Sequence, residues 1–386
     1  MKELLEKGVE RIYPSKSALE KVLKSKKIRL YCGYDGTAKS LHIGNAVTLR
    51  KLAQFQKLGH EVIFLLGDFT SMIGDPTDKT AVRKKMTRKE VLANLKNYKK
   101  QASKILKFSG KNPAKVMFNS KWNDKLSFIE LINLASNFTV QQMMARDMFK
   151  QRIKKGKTIY LHEFLYPLTQ AYDSVAMDVD LEIGGNDQTF NMLRGRDLMR
   201  MLKKKEKFVL TTKLLTDPQG QKMGKTEGNM INLDENPKEM FGQIMAWPDS
   251  LIFLGFELCT DLSLDEINKL KKNNPRDNKA KLAKEVVSIH HSKSAATKAE
   301  REFNRVFKEK KTPLIMPTYK SGPIDISILL FEKGLATSKG DAKRKIKQGA
   351  VKEDGQVIHN YHKQIIPKEK GNIIKVKSRF IKLIKK

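Results

Sequence analysis

The feature that most constrains the fold is a strand, a helix and a second strand that follow one another near the start of the chain. Residues 28–34 are short, apolar and alternating, residues 42–58 carry apolar side chains at helical spacing, and residues 61–66 are again apolar. Gly59 can end the helix. Two strands joined by a helix in this way run parallel, with a right-handed crossover. The unit therefore predicts an α/β fold.

The same alternation continues through the first 235 residues. We predict helices over 88–107, 127–136, 163–179 and 186–202, and strands over 115–118 and 181–183. Helices between parallel strands cover both faces of the sheet, and ligands bind where the βα loops gather at the carboxyl ends of the strands. Residues 1–235 are therefore predicted to form a Rossmann-like, parallel-sheet domain.

The pattern changes twice after residue 235. Residues 237–308 are mostly helical in pattern, which predicts a helical domain over 236–316, closed by a proline-punctuated linker. Two short helices, 325–333 and 339–347, then precede a hairpin whose turn is Asp354-Gly355. Residues 317–386 are therefore predicted to form a small α+β domain.

Positive charge is concentrated in this last part. The whole chain has 76 Lys and Arg against 42 Asp and Glu, a net charge of +34, and residues 323–386 alone hold 14 Lys and 2 Arg against 6 acidic residues. Such a field attracts polyanions, although a lysine-rich genome would also raise the charge of every surface. Four residues share one helix at spacings typical of phosphate-backbone contacts: Lys339, Lys343, Arg344 and Lys347. We interpret them as RNA-binding, against the alternative of a solvated helix face.

Cysteine and apolar patterns limit the compartment. Cys32 and Cys259 are far apart, which favours neither a disulfide framework nor a zinc site, and no other cluster of metal ligands is evident. The N-terminus lacks the apolar core of a signal peptide, and no apolar run approaches the length of a membrane span. We expect a cytoplasmic protein with reduced cysteines, no tightly bound metal and no membrane partner.

Two short motifs carry the chemistry. The first, Ser40-Leu41-His42-Ile43-Gly44-Asn45, lies where the first strand turns into its helix, and the free N–H groups of a helix start suit phosphate. The second is Lys222-Met223-Gly224-Lys225-Thr226, whose lysines could neutralise a departing pyrophosphate. Alone, each has an ordinary explanation: a helix cap, and a chance pair in a lysine-rich chain.

Together, in this order and across an α/β domain, they resemble the HIGH and KMSKS signatures of the class I aminoacyl-tRNA synthetases. Asn45 stands for the second histidine, and Gly224-Lys225-Thr226 stands for Ser-Lys-Ser. Four further motifs resemble the bacterial tyrosyl-tRNA synthetase pattern in order and spacing: Tyr31-Cys32-Gly33-x-Asp35-x-Thr37, Gly74-Asp75-Pro76, Tyr166-x-x-x-Gln170-x-x-Asp173 and Gly184-Gly185-x-Asp187-Gln188. One departure is Thr189-Phe190-Asn191, where Trp-Gly-Asn is usual. The resemblance covers nearly the whole chain.

The resemblance implies three sets of site residues. For tyrosine they are Tyr31 and Asp173 at the phenol, Asp75, Tyr166 and Gln170 at the ammonium group, and Gln188 near the carboxylate. For ATP and its ribose they are Gly33, Asp35, His42, Asn45, Gly185, Asp187 and Lys225. For the departing pyrophosphate they are Thr37, His42, Lys79, Arg83, Lys222 and Lys225.

The resemblance also implies a reaction and partners. Tyrosine would be activated by ATP, entering with Mg²⁺, and then transferred to the terminal ribose of tRNA(Tyr) by a homodimeric enzyme with a helical anticodon-end domain. A tyrosine carboxylate is ionised at neutral pH, so activation requires positioning and charge stabilisation rather than a general base. Three alternatives remain: the tryptophan enzyme of the same fold, a nucleotidyltransferase of the wider HIGH superfamily, and a basic RNA-binding protein on an inactive synthetase scaffold.

Overall fold

A computed structural model describes residues 2–75, 85–216, 230–308, 316–377 and 379–386. It divides the chain into two compact units, residues 1–299 and residues 300–386. The division into three domains, 1–235, 236–316 and 317–386, stays a prediction. Among the described helices, none combines the length and apolar character needed to cross a membrane.

The first unit is built on a six-stranded sheet. Its strands are β1 (Val9–Tyr13), β2 (Arg29–Asp35), β3 (Glu61–Gly67), β4 (Lys115–Phe118), β5 (Leu181–Gly185) and β6 (Phe208–Thr212). They lie in the order β1-β6-β5-β2-β3-β4, and β1 alone is antiparallel to its neighbour. The predicted Rossmann-like α/β class is confirmed.

Helices cover this sheet and continue beyond it. They are α1 (Lys2–Glu6), α2 (Lys16–Ser25), α3 (Ile43–Lys57), α4 (Thr70–Ile73), α5 (Arg88–Leu95), α6 (Tyr98–Ala102), α7 (Ser120–Asn123), α8 (Phe128–Ala135), α9 (Val140–Met144), α10 (Asp147–Lys154), α11 (Leu165–Ala176), α12 (Thr189–Lys203), α13 (Pro237–Met245), α14 (Ile252–Cys259), α15 (Leu264–Leu270), α16 (Pro275–His290) and α17 (Lys293–Phe307). The last of these crosses the boundary between the two units.

Two predicted helices differ in extent. The prediction of a single helix over 88–107 is wrong, because the helix is interrupted after Leu95 and two separate helices, α5 and α6, form. The break lets the Tyr98 hydroxyl donate to the carbonyl oxygen of Ala38 at 2.8 Å, a tertiary contact that propensity cannot report. The helix predicted over 163–179 is shorter, and a 3₁₀ turn over Leu161–Phe164 precedes it.

The central strands form because they are apolar on both faces. Leu30, Phe64 and Leu181 are fully buried, as expected of parallel strands covered by helices on each side. Gly33 is the exception, since it is exposed in the middle of β2. The central strand β2 is therefore covered except at Gly33, near its carboxyl end.

The second unit has its own core. Its elements are β7 (Thr318–Ser321), β8 (Ile324–Asp325), α18 (Ile326–Glu332), α19 (Lys339–Lys347), β9 (Val351–Glu353), β10 (Gln356–Val357), β11 (Gln364–Ile365), β12 (Asn372–Val376) and β13 (Arg379–Lys385). Five strands form a sheet in the order β10-β9-β12-β13-β7. The predicted hairpin is confirmed, with Asp354 and Gly355 both at positive φ (47° and 92°) as a two-residue hairpin turn requires.

Candidate active site

The candidate site lies where the order of the strands reverses. From β2 the chain continues outward to β3 and β4, whereas β5 and β6 return on the other side of β2. The carboxyl ends of β2 and β5 therefore border a crevice of the kind that binds ligands in doubly wound folds. Gly33 is exposed on β2, and Gly185 ends β5. A side chain at Gly185 would place its Cβ 2.4 Å from an Asp187 carboxylate oxygen, so the glycine keeps this edge open.

The turn into α3 holds His42 in one protonation state. Its Nδ1 accepts from the Gly44 N–H at 3.1 Å, and the Asn45 side-chain oxygen accepts from the His42 N–H at 3.0 Å, which completes a capping box. Burial lowers the pKa of His42 to about 4, so the imidazole is neutral at pH 7. Since Nδ1 is an acceptor, the proton is on Nε2, which is a hydrogen-bond donor. Thr37 lies half-buried on the bend before this turn.

The chain that follows the Lys-Met-Gly-Lys-Thr segment is attached to the same turn. The Ile43 N–H donates to the Ile231 carbonyl at 2.9 Å, and the Leu233 N–H donates to the Leu41 carbonyl at 2.8 Å. The Ser40 hydroxyl donates to the Asp234 carboxylate at 2.6 Å. Residues 230–234 are thus anchored beside the first motif. The predicted site residues Lys79, Arg83, Lys222 and Lys225 lie outside the described residues.

Tyr31 and Asp173 are both buried, and they are close enough for the charge of Asp173 to act on Tyr31. Asp173, 2% exposed, accepts from Trp122 Nε1 at 2.7 Å, Asn123 Nδ2 at 3.1 Å and Asn119 Nδ2 at 3.2 Å. Burial raises the pKa of Asp173 to about 8, and these three N–H groups act in the opposite direction. Burial and the charges of Glu182 and Asp173 hold the pKa of Tyr31 well above its usual range. The Tyr31 hydroxyl is therefore a neutral group that can donate or accept.

A hydrogen-bond chain joins the end of β2 to Asp173. Thr70 donates to one oxygen of Asp35 at 2.7 Å, and the Tyr166 hydroxyl donates to the other at 3.0 Å. The Asn119 amide in turn donates both to the Thr70 hydroxyl, at 3.1 Å, and to Asp173. Residues predicted for the ribose side and for the tyrosine side are thus parts of one network. The polar stripe of α11 points inward, since Tyr166 and Asp173 are buried.

Asp75 and Gln188 meet at the opposite side of the crevice. Gln188 Nε2 donates to Asp75 Oδ2 at 2.6 Å, and Arg146 Nη2 lies 3.5 Å from Asp75 Oδ1. The Arg146 guanidinium also lies 5.2 Å from the centre of the Phe190 ring. The Asn191 amide donates to Gln188 Oε1 at 2.9 Å. Asn191, which matches the usual pattern, therefore supports Gln188, and Phe190, which departs from it, contacts Arg146.

Sequence analysis missed three buried polar residues next to Tyr31. Glu182 is 2% exposed and Lys207 is 0% exposed; they form an ion pair, and Lys207 also donates to the Ser174 hydroxyl at 2.8 Å. The Ser174 hydroxyl is 2.9 Å from that of Tyr31. The available signal was an acidic residue between Leu181 and Ile183 in an apolar strand. Among the residues that the structure describes, no group of His, Cys, Asp and Glu is arranged to hold a metal ion.

Comparison with known proteins agrees with this geometry. The family described as tRNA synthetases class I (W and Y) matches residues 23–308. A tyrosine–tRNA ligase of Carboxydothermus hydrogenoformans is 43% identical over 99% of this chain and 97% of its own length. One from Haemophilus ducreyi is 44% identical over 92% of this chain and 90% of its own. The solved structure of a truncated mitochondrial tyrosyl-tRNA synthetase from Aspergillus nidulans shares the fold, with a TM-score of 0.68 at 24% identity, covering 79% of this chain and 93% of its own.

A Rossmann-like sheet with a helix that begins at its crevice is typical of proteins that bind a nucleotide at the carboxyl ends of the strands. The chain belongs to the family of class I tRNA synthetases for tryptophan and tyrosine. Enzymes of this family activate an amino acid with ATP and aminoacylate tRNA. The resemblance found in the sequence motifs is confirmed.

The raised pKa of Asp173 predicts how the free energy of unfolding depends on pH. Its pKa is about 8 in the folded protein and near 3.9 when unfolded, so the native state binds more protons between these values. The stability that wild type has relative to a non-titrating Asp173→Asn variant should therefore be greatest below about pH 4 and decline until about pH 8. Urea unfolding of both ligand-free proteins from pH 5 to 8.5 measures this difference. A difference that stays constant over that range would contradict the elevated pKa.

Proposed function

We propose that this chain is a tyrosine–tRNA ligase, which forms tyrosyl-adenylate and pyrophosphate from tyrosine and ATP and then transfers tyrosine to tRNA(Tyr). The observation that carries the proposal is the burial of a tyrosine hydroxyl and a carboxyl group, Tyr31 and Asp173, which lie close enough for the Asp173 charge to raise the pKa of Tyr31. These two groups can hydrogen-bond a phenol, and phenylalanine offers them no such partner. The tyrosine specificity in the names of the bacterial relatives supports the same substrate.

The remaining polar groups have places in this proposal. Gln170 and Tyr166 extend from α11 on the same side as Asp173, and with Asp75 they would hold the ammonium group of tyrosine. Gln188 would lie near the carboxylate. Gly33, Gly185 and Asp187 would border the adenosine, with Asp35 beside them. These roles follow the motifs residue by residue.

Charge stabilisation at the phosphates would come from donors rather than from a base. The neutral imidazole of His42 would donate from Nε2 to a phosphate oxygen, with Thr37 nearby. The first N–H groups of α3 already have acceptors, since Ile43 donates to the Ile231 carbonyl and Gly44 donates to His42 Nδ1, so they would contribute through the helix dipole alone. Lys79, Arg83, Lys222 and Lys225 would neutralise the departing pyrophosphate. Mg²⁺ would enter as part of the ATP substrate. The enzyme would act in the cytoplasm, where charged tRNA is used.

Amino-acid-dependent exchange of labelled pyrophosphate into ATP tests the substrate. We expect exchange with tyrosine and with none of the other nineteen standard amino acids, because the Tyr31 and Asp173 groups require a phenol partner. Exchange with tryptophan instead would keep the family and refute the substrate. No exchange with any amino acid would favour the inactive-scaffold alternative.

The same assay tests His42. A His42→Asn variant keeps a side-chain oxygen for the helix cap but removes the donor at the position of Nε2. We expect kcat for exchange to fall by about 10–100-fold with the KM for tyrosine nearly unchanged, since the lost contact acts on phosphate in the transition state. A rise in the KM for ATP with unchanged kcat would place His42 in ground-state binding of ATP instead.

We also propose that two copies of this chain form a homodimer through α8. Three of its apolar side chains are exposed, with Phe128 at 78%, Ile129 at 61% and Ile132 at 47%. Val140 and Leu161, later in the same region of the sequence, are exposed as well. An apolar group of this size is typical of a surface that a partner covers, and a second copy fits the homodimer that the family resemblance implies.

Sedimentation tests the homodimer. Wild type should sediment as a dimer at micromolar concentration, and a Phe128→Ser/Ile129→Ser variant should shift to monomer, because polar groups replace the centre of the apolar surface. Leu92→Ser provides a control, since Leu92 is exposed on α5. A monomeric wild type, or a dimer that the double variant does not weaken, would contradict the proposal.

We propose further that α19 of the second unit binds tRNA. Ala342 and Ile346 fix the helix to the core, while Lys343 and Lys347, each next in sequence to one of them, are exposed. Both of their ammonium groups lie over the Tyr361 ring, at 4.9 and 5.6 Å from its centre. Lys339 and Arg344 extend the same positive surface. A ring edged by cations combines phosphate attraction with a stacking surface.

Steady-state aminoacylation tests this surface. A Lys343→Ala/Lys347→Ala variant should raise the KM for tRNA by about tenfold and reduce the salt dependence of tRNA binding by about two phosphate contacts, with pyrophosphate exchange unchanged. The matched control is Lys363→Ala/Lys368→Ala, because these lysines are already paired with Glu353 and Asp354. Equal effects of the two double variants would indicate a general loss of charge rather than a specific surface.

A further inference from the structure

In the buried ion pair of Glu182 and Lys207, each proton of the lysine ammonium group has an acceptor. Lys207 Nζ donates to the Glu182 carboxylate, to the Ser174 hydroxyl at 2.8 Å and to the Met192 carbonyl at 3.1 Å. These three acceptors satisfy the three protons of an ammonium group. A Cβ on Gly195 of α12 would lie 2.5 Å from Nζ, so a glycine at this position leaves the room that the lysine needs.

Glu182 connects this lysine to a predicted substrate-binding residue. One carboxylate oxygen of Glu182 meets Lys207, and the other accepts from Gln170 Nε2 at 3.0 Å. A carboxylate can only accept hydrogen bonds, so the amide of Gln170 must present its NH₂ group to Glu182. The orientation of the Gln170 amide is therefore determined by the charge on Glu182.

That orientation leaves the Gln170 carbonyl oxygen available. Gln170 Oε1 is buried and has no hydrogen-bond partner among the residues that the structure describes. A buried acceptor of this kind is unfavourable unless a ligand donates to it. An ammonium group is a donor only, so it matches the carbonyl oxygen and would be repelled by the NH₂ group of a flipped amide.

The lysine side of the pair reaches the other end of the pocket. Ser174, which accepts from Lys207, is 2.9 Å from the Tyr31 hydroxyl. Lys207 Nζ is 5.9 Å from the centre of the Tyr31 ring. A single ion pair therefore contacts both the residue predicted for the ammonium group and, through one serine, the residue predicted for the phenol.

Stability alone does not account for such a pair. Taking two charges out of water carries a large desolvation penalty, and well-packed apolar residues of similar volume often give an equal or higher stability. Burial lowers the pKa of Lys207, and the Glu182 charge opposes that effect. The pair is thus costly to bury, and its contacts reach Gln170 directly and Tyr31 through Ser174.

We infer that Glu182 and Lys207 are positioning residues for the amino-acid substrate. Their ion pair sets the Gln170 amide so that its carbonyl oxygen accepts from the substrate ammonium group, and through Ser174 it holds the Tyr31 hydroxyl in place. This inference rests on the proposed function, because it requires a substrate with both an ammonium group and a phenol.

The test compares tyrosine with an analogue that lacks the ammonium group. In a Glu182→Gln variant the side chain at 182 can donate as well as accept, so the Gln170 amide loses its single orientation. We expect the KM for tyrosine in pyrophosphate exchange to rise by about tenfold, with the KM for ATP within about twofold of wild type. The inhibition constant of 3-(4-hydroxyphenyl)propionate, competing with tyrosine, should also stay within about twofold, because this analogue makes no ammonium contact.

A second variant covers the case in which an unpaired Lys207 prevents folding. Glu182→Gln/Lys207→Met removes both charges and keeps side chains of similar length. It should weaken the analogue as well, because Ser174 and Tyr31 lose the support of Lys207, but it should weaken tyrosine about tenfold more than the analogue. The matched control is Lys205→Met/Asp178→Asn, a surface pair two residues from Lys207 in which the Lys205 ammonium and the Asp178 carboxylate are 3.2 Å apart. This control should leave all three constants unchanged.

The outcomes separate the inference from the proposed function. An equal weakening of tyrosine and the analogue in both variants would show a purely structural role and overturn the inference. Unchanged constants in both variants would overturn it as well. A wild-type protein that shows no tyrosine-dependent exchange would refute the proposed function instead, before any variant is compared.

Discussion

The site depends on one constraint, the parallel pairing of β2 with β3 on one side and with β5 on the other. This pairing reverses the direction in which the chain crosses the sheet, so the loops after β2 and β5 diverge and leave a crevice. Asp35 ends one of these strands and Gly185 ends the other. The residues that the family motifs single out are distant in sequence, and the carboxyl ends of the parallel strands bring several of them to one edge.

Desolvation then sets the chemistry of that edge. Burial makes His42 a neutral donor instead of a cation, and it favours the protonated form of Asp173 despite three N–H donors. The same low-dielectric surroundings strengthen each hydrogen bond that remains. The site is therefore a set of oriented dipoles and a few compensated charges, which suits a reaction that needs alignment and stabilisation of phosphate charge more than proton transfer.

Hydrogen bonds connect the two ends of the site. Thr70 and Asn119 join Asp35 to Asp173, and the pair of Glu182 and Lys207 joins the side chains of α11 to those of β2. Neighbouring hydrogen bonds of this kind strengthen one another, so the loss of one bond weakens the next in the network. Beside this network, Asn191 holds Gln188 by a hydrogen bond and Phe190 contacts the Arg146 guanidinium.

The sequence by itself determined the α/β class, the positions of β2, α3 and β3 and the hairpin of the second unit, because local periodicity and turn residues carry that information. Short motifs also indicated which residues to look for in a site. Only the tertiary structure decided that α5 and α6 are separate, that burial raises the pKa of Asp173, and that Glu182 and Lys207 are a buried pair. Each of these depends on contacts between residues far apart in the chain. Burial and charge compensation are properties of the assembled pocket, and no window of sequence contains them.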